Sequence, residues 1–204
     1  MKNTFFVIED HTLTNLGIRE ILQSNTELEC CGFAMSESEA FEKLTELDMK
    51  GALPKMLVLD LFLGGDSGID VLREVKKHFP SIGVVVYSMY SNPGIISIVM
   101  ESGAKGFVSK ASSESELVEA IKAVAAGGTY IQKSLIEPLK TYTSIFASFT
   151  KNEQNVLRKL LERKEIPAVA EELDTDTRTV NNYLARICAK TGCHSHEELI
   201  AQFG

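Results

Sequence analysis

Three carboxylates, a hydroxyl and an ammonium in this chain share one kind of position, directly behind a short apolar run. Glu9 and Asp10 follow Phe5-Phe6-Val7-Ile8, Asp60 follows Met56-Leu57-Val58-Leu59, Ser88 follows Ile82 to Tyr87, and Lys110 follows Gly106-Phe107-Val108-Ser109. Three carboxylates brought together at neutral pH repel and raise one another's pKa unless a divalent cation neutralises them. Oxygen-only ligands on a shallow edge suit Mg2+, which keeps several waters and takes one or two carboxylates plus phosphate oxygens. A hydroxyl and an ammonium beside such a site match the remaining oxygens of a phosphoryl group. Singly, each residue has a plainer reading. An Asp after a strand is commonly a turn or cap residue, Ser88 can serve backbone groups in a turn, Phe107 can be a static core residue, and Lys110 can be solvated.

The elements that must position these groups follow from the spacing. The run ending at Asp60 lies between the breaker Pro54 and the pair Gly64-Gly65 and reads as a strand buried on both faces. Between the runs, apolar residues fall at helical spacing: Leu13, Leu16, Ile18, Ile21 and Leu22; Phe41, Leu44 and Leu47; Ile69, Leu72, Val75 and Phe79; Leu117, Ile121 and Val124. Ser36 to Glu39 and Ser113 to Glu116 have the form of capping boxes, and Pro80 stops a helix. With Leu28 to Ala34 as a further strand, strand and helix alternate five times. That pattern predicts an α/β fold with a five-stranded doubly wound parallel sheet. Its carboxyl edge, where ligands bind in open α/β sheets, collects Glu9, Asp10, Asp60, Ser88 and Lys110.

The 204 residues suffice for two domains, and the formal charge of −7 is unevenly spread. Residues 1–130 hold 18 acids against 11 bases, whereas residues 150–204 hold 9 against 8, so neither part is a strongly basic surface for nucleic acid. Cys30, Cys31, Cys188 and Cys193 form no CxxC pair and are expected as reduced thiols. A zinc site of Cys188, Cys193, His194 and His196 fits no common ligand spacing. Acids at Glu9 and Asp10 cut short any signal peptide, and no run approaches the roughly 18 apolar residues of a membrane helix. The expectation is a cytoplasmic protein with no membrane partner.

Glu9-Asp10-His11, the turn from Asp60 to Asp66-Ser67-Gly68, Ser88, Gly103 through Lys110 and Gly127-Gly128-Thr129-Tyr130 occur in order at strand ends. Through them residues 1–130 resemble the receiver domain of bacterial two-component response regulators, a flavodoxin-like fold. The resemblance implies that Asp60 is the phosphoacceptor, served by a histidine kinase or a small phosphodonor. It implies a Mg2+ site of Glu9, Asp10, Asp60 and the backbone carbonyl of Phe62. Lys110 would pair with the phosphate, Ser88 would hydrogen-bond a phosphoryl oxygen, and Phe107 would be the switch residue that turns inward. Gly64 stands where the family usually has proline, and Phe62 is bulkier than the residue often found there.

Residues 131–148 match no strand-helix unit and read as a linker. From residue 149 to 204 four short helices are expected. Thr150 to Glu153 boxes the first, Pro167 lies in the first turn of the second, Asp176 caps a third from Thr177 to about Thr191 closed by Gly192, and Ser195 to Glu198 boxes the fourth. Phe149-Thr150, Val156-Leu157, Val169-Ala170, Leu173, Thr179-Val180 and Gly192 give this part a resemblance to LuxR-type helix-turn-helix domains, and the whole to the NarL/FixJ type. Val180, Leu184 and Ile187 share one face of the third helix. Arg178, Asn182, Ala185, Arg186 and Ala189 lie outward, with Asn181 at the flank, where asparagine can pair with adenine and arginine with guanine or phosphate.

The expected function is a phosphorylation-controlled transcription regulator that binds DNA as a homodimer and turns over no independent substrate. A helical domain that binds protein instead of DNA is the alternative. An aspartyl-phosphate phosphatase usually needs an acid two residues after the nucleophile, where Phe62 stands.

Overall fold

The computed structural model describes residues 3–203. In chain order it contains β1 (Thr4–Ile8), α1 (Thr12–Asn25), β2 (Glu29–Ala34), α2 (Glu37–Met49), β3 (Met56–Leu59), the two-residue strands β4 (Phe62–Leu63) and β5 (Asp66–Ser67), α3 (Gly68–His78), β6 (Gly83–Ser88), α4 (Pro93–Glu101), β7 (Gly106–Ser109), α5 (Glu114–Ala125) and β8 (Tyr130–Ile131). Five helices follow: α6 (Lys133–Ala147), α7 (Lys151–Leu161), α8 (Ile166–Glu172), α9 (Thr177–Thr191) and α10 (His196–Phe203). By their contacts the described residues form two units. One runs to Met89 and resumes over Val99–Lys133; the other comprises Tyr90–Ile98 and the residues from Ser134 on.

In the first unit the strand order is β2-β1-β3-β6-β7-β8, and every pairing in this sheet is parallel. Alternate residues of each strand face opposite sides. Phe5, Val7, Met56, Val58, Val85 and Val108 share a core with Ile18 and Leu22 of α1 and Leu117, Ile121 and Val124 of α5. Their neighbours Phe6, Ile8, Leu57, Leu59, Val84, Val86 and Phe107 are buried as well, so β1, β3, β6 and β7 are covered on both faces while β2 and β8 are partly exposed.

The sheet has six strands where five were expected. The sixth, β8, is only two residues long and pairs Gly106 with Tyr130 and Phe107 with Ile131. No apolar run announces it, because its pairing depends on the neighbouring strand and not on local pattern. Residues 131–148, expected as a linker, thus begin in the sheet and continue as the 15-residue helix α6. Pro138 inside α6 removes one backbone hydrogen bond from the helix, but Tyr142 and Phe146, one turn apart, are buried and stacked at 5.4 Å. Tertiary burial of that aromatic face outweighs the lost backbone bond.

Other local expectations shift in instructive ways. Leu13 and Leu16 are 84% and 49% exposed, since α1 buries Asn15, Ile18 and Leu22 instead. Ser36 accepts the Glu39 amide, but the Glu39 carboxylate takes the amide of Met35. Ser113 makes no side-chain cap: its hydroxyl pairs with Ser115, and the Glu116 carboxylate accepts the Tyr130 hydroxyl at 2.5 Å.

In the second unit, Thr150 and Glu153 form a complete capping box. Glu153 is buried, and its Oε2 also receives Lys190 Nζ at 2.6 Å, tying the start of α7 to the end of α9. Asp176 caps α9 through the Thr179 amide, and Gly192 closes it in the left-handed region at φ 78°. Glu172 of α8 pairs with Lys159 at 2.7 Å and with Lys164. Hydrogen bonds from Lys159 and then Lys164 hold its carboxyl down to about 2. A depressed acid stabilises the folded state above its ordinary value of 4.5 and loses that contribution as pH falls toward 2. Glu172→Gln should therefore flatten the acid limb of helix stability over that window, measured by circular dichroism, with a loss at neutral pH under ~1 kcal/mol because the pair is a third exposed. An unchanged acid limb would show that the pair contributes nothing.

Candidate functional site

Strand register sets the site. Ile8 lies beside Leu59, Leu59 beside Val86, and Ser88 beside Ser109, so the residues that follow emerge together at one edge. The backbone continues the alignment past the strands: the Glu9 amide bonds Ala34 O and the Asp60 amide bonds Ile8 O. Asn15 of α1 donates to the Glu9 carbonyl at 3.2 Å. Behind Asp60, β4 and β5 pair Phe62 with Ser67 and Leu63 with Asp66 around Gly64 and Gly65. This hairpin delivers Gly68 against the Asp60 carbonyl, where a Cβ would stand 2.4 Å from that oxygen. Glycine is required there by space.

Glu9 is 1% and Asp60 4% exposed. Lys110 Nζ donates to Glu9 Oε2 at 2.6 Å and to Asp60 Oδ2 at 2.7 Å. The remaining oxygens are also engaged: the Leu61 amide donates to Asp60 Oδ1 at 2.7 Å, and the His11 amide to Glu9 Oε1 at 3.1 Å. His11 Nδ1 lies 2.8 Å from Asp10 Oδ1 and 3.1 Å from Glu9 Oε1. One ammonium and one imidazole ring thus face three carboxylates. Burial alone would pull the Lys110 pKa down, but hydrogen bonds to Asp60 and Glu9 hold it above its ordinary value. The Asp10 carboxylate, followed by the bonds to Asp10 and Glu9, raises that of His11.

Glu9, Asp10, His11 and Asp60 place one ligand atom each within 4.8 Å of one another, which makes them the one group among the described residues able to hold a metal ion. Hard carboxylate oxygens suit Mg2+, so the donor set fits the cation expected from sequence. The Cys188, Cys193, His194 and His196 set forms no such group, and all four cysteines are free. His11 was within a motif noted in the sequence but was not assigned to the site. Its adjacency to two acids was the available signal.

Ser88 and Phe107 are fully buried, the Ser88 carbonyl accepting the Lys110 amide at 2.9 Å. Phe62 stands in β4, 48% exposed. These lie with Asp60 in the first unit. The residues expected to meet DNA belong to the second: Arg178, Asn181, Asn182, Ala185, Arg186 and Ala189 are all exposed on α9, while Val180, Leu184 and Ile187 are buried. Asn181 Nδ2 donates to the Thr177 carbonyl at 2.9 Å. Among the described residues no helix is long and apolar enough to cross a membrane.

Residues 5–122 match the family described as response regulator receiver domain, and residues 147–203 match bacterial regulatory proteins, luxR family. Response regulator UvrY of Escherichia coli K12 is 26% identical over 203 residues, covering 95% of this chain and 89% of that protein. Transcriptional activator protein ExaE of Pseudomonas putida is 27% identical over 202 residues, covering 95% and 92%. A solved RcsB–DNA complex is similar with a TM-score of 0.71 at 24% identity, covering 99% of this chain and 98% of that one. RcsB from Salmonella enterica serovar Typhimurium, bound to promoter DNA in the presence of the phosphomimetic BeF3−, gives 0.72 at 24%, with the same coverage. These solved structures speak for the fold alone.

Proposed function

Since the chain belongs to the response regulator receiver family and carries a luxR-family domain at its carboxyl end, we propose that it is a transcription regulator whose DNA binding is set by phosphorylation of Asp60. The observation that carries this reading is Lys110 Nζ bonded to both Asp60 Oδ2 and Glu9 Oε2 at the sheet edge. A reactive carboxylate is held there beside a cation and further acids.

Asp60 Oδ2 attacks the phosphorus of a histidine kinase's phosphohistidine, forming the P–O bond as the P–N bond breaks. Glu9, Asp10, Asp60 and the carbonyl of Phe62 would hold Mg2+. When bound, that cation neutralises charge between the anionic carboxylate and the phosphoryl oxygens. Lys110 exchanges its bond to Asp60 for one to a phosphoryl oxygen. The Ser88 hydroxyl turns toward another, and Phe107 fills the space that Ser88 leaves. A dimer then presents two copies of α9 to two half-sites, Arg178, Asn181, Asn182, Ala185 and Arg186 facing the major groove. The similarity to ExaE, named a transcriptional activator, supports DNA as the partner.

Incubation with Mg2+ and acetyl phosphate should add one phosphoryl group to the native chain, read by intact mass, and none to Asp60→Asn. Genomic DNA fragments selected by the phosphorylated protein should bind it more tightly than the unmodified protein. Uptake that survives in Asp60→Asn overturns the nucleophile, and selection of no DNA overturns the partner in favour of a protein.

A further inference from the structure

Strand β8 ends after Ile131, and Lys133 already enters α6. One residue, Gln132, lies between them, and both its backbone amide and its side-chain oxygen return to the sheet. The Gln132 amide donates to the Phe107 carbonyl at 3.1 Å, and Gln132 Oε1 accepts the Ser109 amide at 2.9 Å. The side chain thus supplies the acceptor that a longer strand would have supplied from its backbone. Ser109 is 6% exposed, so its amide has little water to turn to.

Ser109 opens the turn that carries Lys110. The Lys110 amide is fixed on Ser88 O at 2.9 Å, the Ser109 carbonyl receives the Ser112 amide at 3.0 Å and hydroxyl at 2.6 Å, and Ser109 Oγ receives the Ala111 amide at 3.3 Å. From that turn Lys110 reaches Glu9 and Asp60. We infer that Gln132 is a positioning residue of the phosphoacceptor site, its carboxamide holding the Lys110 turn in place from the first residue after the sheet. The inference rests on the reading of Asp60 as phosphoacceptor. Because coupling between two groups is reciprocal, a phosphoryl group on Asp60 that draws Lys110 away from its carboxylate alters the Ser109–Gln132 bond, at the point where the chain leaves the sheet for α6.

The test uses the full chain. Gln132→Leu removes the acceptor at similar size, and Gln132→Glu keeps an oxygen at the same reach. Gln132→Leu is expected to speed amide exchange at Ser109 by about tenfold. It should also lower the rate constant for uptake at saturating acetyl phosphate severalfold with the half-saturating concentration unchanged, and Gln132→Glu should restore both. Should the leucine variant fail to fold, Gln132→Asn withdraws the oxygen by one methylene and should give the same two changes. Native exchange at Ser109, faster exchange with a native uptake rate, or a glutamate variant that behaves as leucine each overturn the role. Exchange is read without phosphodonor, so a wild-type chain that takes up no phosphoryl group overturns the function while the Ser109 result still stands.

Discussion

Lys110→Met is expected to lose ~3 kcal/mol of stability in the sheet unit, the scale of breaking one side of a buried ion pair. The loss should appear as faster hydrogen exchange of the slow amides in β1 and β3. The substitution leaves Glu9 and Asp60, 1% and 4% exposed, facing each other with Asp10 close by and their shared cation gone. Added Mg2+, placing a cation among the carboxylates, should restore part of the loss. The wild type is sensitive to pH at the alkaline end. A lysine held above its ordinary value of 10.5 contributes fully below that pH and loses its contribution as pH rises through the raised value. Native exchange rates in the variant, with no response to Mg2+, would mean that the carboxylates find relief elsewhere.

Gly68→Ala is expected to be as damaging, for a steric reason. A Cβ at that position would stand 2.4 Å from both the Asp60 carbonyl oxygen and Leu61 Cα, and 2.8 Å from the Leu61 carbonyl carbon. These are backbone atoms, so relief requires moving either α3 or Asp60, the proposed phosphoacceptor. Overpacking of this kind costs ~1–3 kcal/mol, and a displaced Asp60 should slow phosphoryl uptake by about a hundredfold. Gly17→Ala is the matched control. Nothing lies within 4 Å of a Cβ there, inside α1, and alanine should stabilise by roughly 0.8–1 kcal/mol. Equal behaviour of the two variants would refute the steric account.

What was legible in the sequence, and what was not, divides along a physical line. The runs before Glu9, Asp60, Ser88 and Lys110 are continuous and apolar because those strands are buried on both faces, and that pattern is local. The gathering of Glu9, Asp60 and Lys110 at one sheet edge was therefore legible from the sequence. Strand β8 and helix α6 could not. Tyr130 and Ile131 become a strand because β7 has an open edge, and α6 forms around Pro138 because Tyr142 and Phe146 find Phe149 and Phe203 to pack on. The same distinction explains the caps. Thr150 behaves as its spacing predicts, whereas Ser113 loses Glu116 to Tyr130, a partner 14 residues away. His11 escaped assignment because its contacts depend on where its ring is held, between Glu9 and Asp10.

Strand β8 also bears on how the sheet is protected from its own kind. The four residues of β7 are buried, with β6 on one side and β8 on the other. Cut before Tyr130, the sheet would end in an uncovered apolar edge with free amides and carbonyls, the surface on which foreign strands add and aggregates grow. The two residues of β8 and the carboxamide of Gln132 cap that row. A receiver isolated from its helical partner keeps a guarded edge only if it is carried through Gln132.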